Sequence, residues 1–179
     1  LSDSTRVATF QLGRENGGGP HDMLSKAVDL GNAHGLTHAV KNKNGWQNLG
    51  TYNRYQAEEF GRFVSKLKGT REPNGDGNML DNTFAMHGSA SSSFHLSRNY
   101  PIISAGGKNL GFSNGRFLNY VGLREDGSLP GAGVTSDAGW RSKVAEEEPP
   151  LAKLFVSILQ RLGVETDSFA GYSGTLERV

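Results

Sequence analysis

Across 179 residues the chain is 35% hydrophobic and 21% charged, which makes it a polar globular protein and excludes wholesale disorder. A formal net charge of +1 without any basic run sets aside electrostatic nucleic-acid binding, and the lack of cysteine excludes disulfides, thiol catalysis and thiolate metal sites. The length suits one domain with its own core, no apolar run approaches the roughly 18 residues of a membrane span, and 25 glycines predict a loop-rich fold.

The chain opens on Leu-Ser-Asp and enters a strand-like segment at once, Arg6–Leu12. That start predicts a processed chain or the carboxyl-terminal part of something longer. Gly13 to Pro20, with three consecutive glycines before the proline, predicts a flexible loop. His21–Leu30 suits a short helix with Met23, Leu24, Ala27 and Leu30 on one face and Gly31 as its stop.

The polar segment Asn32–Asn48 carries His34 and His38. Two histidines four apart can share a helix face and a metal, as in zinc-binding helices. Gly35, and the absence of a glutamate after His34, argue against that helix. The plainer reading is a surface loop whose imidazoles bond to backbone or water.

Thr51–Lys68 predicts the clearest helix of the first half, with Phe60, Phe63, Val64 and Leu67 at i, i+3, i+4 and i+7. Tyr52 and Tyr55 extend that stripe, which is core rather than a cofactor box. The run Asn74-Gly75-Asp76-Gly77-Asn78 lacks the closing glutamate of a calcium loop and predicts a turn.

Leu80–Gly107 is the stretch around which the chain is organised. It predicts two buried strands, Thr83–His87 and Tyr100–Ala105, joined by a serine-rich loop that carries His95. Open α/β folds place ligands at such a strand end, so a site is expected there. Beyond it, Phe112, Phe117 and Tyr120 are expected to pack, and Ser113–Arg116 suits a hairpin tip. Val121–Glu148 predicts a long surface excursion.

Pro149-Pro150 introduces a second helix, Leu151–Leu162, with a stripe of Leu151, Leu154, Phe155, Ile158, Leu159 and Leu162, closed by Gly163. In the polar tail, Val164–Val179, Phe169 and Tyr172 are the expected tethers.

The order of these segments carries a resemblance. A helix ending KLKGT, a Gly-Asp-Gly turn, LDNT, a buried strand, a polar loop with histidine, then NYPIISAGG, GRFLNY, a leucine-rich helix with RLGV and a terminal SGTL follow one another. With RVATF and HGLTH nearer the start, the pattern resembles the bacterial secreted family catalogued as domain of unknown function 1552, over its carboxyl-terminal part. That family is similar to the alkaline phosphatase and sulfatase superfamily, which implies an α/β fold, an envelope or secreted location and hydrolysis of phosphate or sulfate esters assisted by divalent metal. His34, His38 and His95 match the family's positions and are the implied ligands of zinc or another divalent ion.

The chain departs from the pattern where the superfamily carries a metal-binding aspartate. Gly88-Ser89-Ala90-Ser91-Ser92-Ser93-Phe94-His95 contains no carboxylate, Ala33 and Ala39 stand where the family tends to have further histidines, and His87 replaces an apolar residue or tyrosine. The nucleophile of the superfamily lies in the amino-terminal half, outside this chain.

Three functions follow. The first is a divergent, non-catalytic accessory or binding subunit of a larger envelope or secreted assembly, whose partner polypeptide covers the surface left by the absent amino-terminal half. The second is a fragment of a metal-dependent phosphate or sulfate ester hydrolase built on His34, His38 and His95. The third is a glycan-binding module at the cell envelope using Trp46, Trp140 and tyrosines, with both tryptophans expected in loops. The expected fold is a single α/β domain, alkaline-phosphatase-like, with a mostly buried sheet flanked by Thr51–Lys68 and Leu151–Leu162.

Overall fold

A computed structural model describes residues 5–12, 27–89, 100–118, 120, 150–176 and 179. The expected loop at 13–20, most of the expected helix His21–Leu30, the serine-rich loop with His95, and the excursion Val121–Glu148 with Trp140 lie outside those residues. The architecture is mixed α/β, with helices and two small antiparallel sheets. The chain divides into two compact units, Leu1–Leu67 with Pro73–Gly75 and Lys68–Glu72 with Asp76–Val179.

In the first unit, residues 5–12 adopt no strand, contrary to their β-type composition. Thr5 turns the chain locally, its Oγ1 donating to the Val7 carbonyl at 2.7 Å, and Val7 and Phe10 are 74% and 86% exposed. Composition alone cannot make a strand, because a strand satisfies its backbone only through a partner.

Helix α1 spans Ala33–His38 and continues into one 3₁₀ turn, Ala39–Lys41. Asn32 is its N-cap, and Asn32 Oδ1 accepts the Gly35 N–H at 2.7 Å. Leu36 is the residue this helix buries. The turn that follows closes through Asn42 N–H to Ala39 carbonyl and Gly45 N–H to Asn42 carbonyl, both 2.9 Å. Gly45 is buried there, and a Cβ on it would lie 1.9 Å from the Ala39 carbonyl oxygen, so no other residue fits this corner without moving backbone.

Helix α2 spans Gly45–Gly69, starting six residues before the predicted Thr51. Tyr52 is its buried side chain, with Gln56 Nε2 donating to the phenolic oxygen at 3.2 Å. The stripe further along is only partly covered, and Phe63 keeps 51% of its surface exposed. The outer face carries an Arg54–Glu58 pair at 2.7 Å and an Arg62–Glu59 pair. Exposed pairs of this kind contribute only about 0.3–0.5 kcal/mol.

The second unit is built on β1 (Phe84–Gly88) and β2 (Ile102–Gly106), which pair antiparallel with Ala85 opposite Ala105 and His87 opposite Ile103. Side chains alternate between faces, and opposed residues share a face. Phe84 and Met86 therefore lie with Ser104 and Ile102, while Ala85 and His87 lie with Ala105 and Ile103. The sheet expected to be mostly buried is smaller and more open than that: Met86 is 39% and Ile103 53% exposed.

The end of the ribbon at Phe84 and Gly106 is held by its flanking residues. The turn at 73–77 forms as expected, closed by Glu72 N–H to Gly77 carbonyl at 3.2 Å and an Arg71–Asn78 bridge. Asn78 and Asp81 then cap one another, Asn78 N–H reaching Asp81 Oδ2 and Asp81 N–H reaching Asn78 Oδ1. Leu80 carbonyl accepts from Gly107 N–H and Asp81 carbonyl from Asn109 N–H, both at 2.9 Å, so Leu80-Asp81-Asn82-Thr83 is clasped directly to Gly106-Gly107. Gly106 sits at φ +81°, and a Cβ there would lie 2.3 Å from the Thr83 carbonyl oxygen. That backbone approach is what the paired glycines provide.

Phe112 is buried and stacks on Phe84 with ring centroids 4.1 Å apart. Ser113–Arg116 is irregular, with a bend at Gly115 and no hairpin among the described residues, and Asn114 Nδ2 donates to the Gly106 carbonyl at 2.7 Å. Phe117, expected in the core, is 92% exposed.

Helix α3 spans Leu151–Arg161. Its buried residues are Val156, Ser157 and Ile158, so the buried face is shifted from the predicted leucine stripe, and Leu162 is 48% exposed. The shift has a cause in what covers the helix. A two-residue hairpin, β3 (Ser168–Phe169) with β4 (Tyr172–Ser173), turns through Ala170 and Gly171, both at positive φ, as a type I′ turn requires. Phe169 meets Phe155 at 5.3 Å between ring centroids, and the tail then returns to Ser157, whose hydroxyl accepts Leu176 N–H at 2.9 Å. At its other end Arg161 donates to the Gly111 carbonyl and lies over the Phe112 ring, 5.2 Å from its centroid. Through that cation–π contact α3 joins the Phe112–Phe84 stack on the ribbon.

Candidate functional site

The best-defined group of chemistry-bearing side chains is His34 with His38. The sequence argued for a loop here because glycine costs about 1 kcal/mol in a helix. The structure makes a helix instead, since Asn32 satisfies one of the orphan N–H groups that a short helix would otherwise leave bare. Once the turn forms, i and i+4 side chains stand one above the other. The two Nε2 atoms are 3.0 Å apart, and the ring centroids 4.7 Å apart at 48°. At that distance the rings hydrogen-bond, one nitrogen donating and the other accepting. His34 is half-buried and His38 exposed, so the pair is open to solvent on one side.

The two nitrogens therefore bond to each other. Imidazole nitrogen is a borderline ligand that suits zinc, copper and nickel, while calcium and magnesium demand oxygen. The donor set present fits two positions of such a metal site. Among the described residues no group of three or more histidines and carboxylates gathers for a metal. Of the three ligands the sequence nominates, His34 and His38 come together and His95 lies outside the described residues.

Comparison with protein-family models, with curated proteins and with solved structures gives no match.

The expected ligand position at the end of β1 is described up to Ser89, whose N–H reaches the Pro101 carbonyl at 3.4 Å. His87, the neighbour of that loop, is half-buried on the face it shares with Ile103. Trp46 belongs to the first turn of α2 rather than to a loop, and it is 69% exposed. Sequence reasoning missed one residue that shapes the candidate site, Asn32. Its signal was present as an asparagine directly before Ala33-His34-Gly35, a position that helix N-caps favour.

Proposed function

We propose that the chain is a divergent, non-catalytic accessory or binding subunit of a larger envelope or secreted assembly. In this reading it derives from the carboxyl-terminal portion of an alkaline-phosphatase-like protein of the family it resembles, and the location follows from that resemblance. The observation that carries the reading is the openness of the β1–β2 ribbon. Met86 and Ile103, one from each face, are large apolar side chains 39% and 53% exposed, and Phe117 nearby in sequence is 92% exposed. Burying an Ile or Phe side chain is worth roughly 1.5–3 kcal/mol, so a partner polypeptide covering these residues gains substantially. Among the described residues no helix is long and apolar enough to cross a membrane.

The test is association. Chain isolated from its native source is expected to travel with a second polypeptide, and Ile103→Asp is expected to release it while leaving the circular dichroism unchanged. Isolation as a lone chain that the substitution does not alter would defeat the reading.

A second reading is favoured by the His34–His38 geometry. The chain would then be a fragment of a metal-dependent phosphate or sulfate ester hydrolase, with His34 and His38 among the residues holding a divalent ion that polarises the ester oxygen. Esterase activity on phosphate and sulfate esters that disappears on His38→Ala supports it, and its absence from the complete assembly dismisses it.

A further inference from the structure

We infer that Asn74 is a covalent modification site, the asparagine at which the folded chain deamidates to aspartate and isoaspartate. The inference is independent of both functional readings, because the reaction needs only the chain and water.

The sequence holds four Asn-Gly steps, at Asn16, Asn44, Asn74 and Asn114, and the last three lie among the described residues. Glycine after asparagine favours deamidation because it has no side chain to shield its nitrogen and leaves the backbone free to turn. The glycine nitrogen attacks the asparagine Cγ, so that a new N–Cγ bond closes a five-membered imide. The Cγ–Nδ2 bond breaks, and Nδ2 leaves as ammonia with the proton that the glycine N–H gives up. Water then opens the imide at either carbonyl to give aspartate or isoaspartate, and no electron is transferred. Two conditions follow for a folded chain: the side-chain amide must be free to turn, and the next nitrogen must not be engaged in a backbone bond.

The three described steps differ on these conditions. Gly45 is buried and its N–H donates to the Asn42 carbonyl at 2.9 Å, while the Asn44 carbonyl accepts Asn48 N–H at 2.9 Å. That step is locked into the start of α2. Gly115 is open, with nothing within 4 Å of where a Cβ would stand, but Asn114 is held by its Nδ2 bond to the Gly106 carbonyl at 2.7 Å. Breaking such a bond first slows attack by about two- to tenfold. Asn74 meets both conditions. Asn74 and Gly75 are exposed, and neither the Asn74 amide nor the Gly75 N–H meets a hydrogen-bond partner of good geometry among the described residues. Their turn is closed outside this step, by Glu72 N–H to the Gly77 carbonyl and by the Arg71–Asn78 bridge. Deamidation at Asn74 adds a carboxylate between Glu72 and Asp76 and takes the formal net charge of +1 down by one.

The experiment incubates the full-length chain at neutral pH and follows each step by tryptic digestion and mass spectrometry, conversion adding about one dalton to a peptide. Cleavage after Arg14, Lys43, Arg71 and Lys108 puts the four steps on separate peptides. Asn74 is expected to convert faster than Asn114 by at least about twofold, with Asn44 unconverted over the same period. In denaturant the three rates are expected to converge. Gly75→Ala, at a glycine that is not at positive φ, should slow conversion at Asn74 alone with unchanged circular dichroism. Conversion of Asn114 or Asn44 as fast as Asn74 in the folded chain would overturn the inference. So would an Asn74 that stays intact while the denatured chain converts, or an order of rates that persists in denaturant and so owes nothing to the fold. None of these outcomes depends on activity or on the mass of an assembly, so failure here is distinct from failure of the accessory reading.

Discussion

At the scale of single residues, the backbone decides more than the side-chain chemistry does. Asn32 turns a segment that composition assigns to a loop into α1, because its amide oxygen takes the Gly35 N–H. Asn32→Ala is expected to cost about 0.5–2 kcal/mol of local helix stability, read by chemical denaturation, and to loosen the histidine pair with it. Gly106 makes the opposite point: its φ of +81° and the 2.3 Å approach of the Thr83 carbonyl leave no room for a side chain. Gly106→Ala is expected to destabilise the second unit by about 1–3 kcal/mol, seen as a lower thermal midpoint. A midpoint unchanged by that substitution would mean the clasp between Leu80–Thr83 and Gly106-Gly107 contributes nothing. Under the hydrolase reading, which nominates His95 as a third ligand, His95→Ala is expected to weaken zinc binding in a calorimetric titration.

At the scale of elements, the sequence was legible where periodicity is long and illegible where pairing is non-local. Both strong helices stand where their apolar spacing predicts, and the two strands of the ribbon agree with the predicted segments to within two residues. The burial of those elements was less legible. The stripe on α3 was read as if one surface covered it, whereas the β3–β4 hairpin and the returning tail cover another side and bury Val156 and Ser157. Arg6–Leu12 differs from its strand-like composition for the same reason, since a strand is defined by its neighbour and not by its own residues. Half of the candidate site was legible, because the spacing of His34 and His38 announces a shared face once a helix is granted. The helix itself depends on the Asn32 cap, whose side chain accepts the Gly35 N–H and offsets the cost of that glycine. Ser157→Ala tests the element-scale account: it removes the buried hydroxyl that receives Leu176 N–H, so a loss of about 1–3 kcal/mol is expected. Amide exchange at Leu176 should accelerate in step, and an unaltered exchange rate there would contradict the tail's attachment to α3.

At the scale of the whole molecule, two compact units of mixed α/β structure offer a few strong internal anchors and a considerable exposed apolar surface. Among the described residues the buried apolar side chains are Leu36 and Tyr52 in the first unit, and Ala85, Phe112, Val156 and Ile158 in the second. An antiparallel ribbon of two strands is marginal by itself and gains stability from whatever packs on it. The Phe84–Phe112–Arg161 stack does this on one face, while Ile103 on the other remains half uncovered. The proposal of an accessory subunit is the reading under which that uncovered surface has a purpose. It is tested most directly by the mass of the native particle, measured in solution without denaturant. The account predicts a mass well above the 19.3 kDa of the chain, falling towards that value on Ile103→Asp. A particle of 19.3 kDa, unchanged by the substitution, would contradict it.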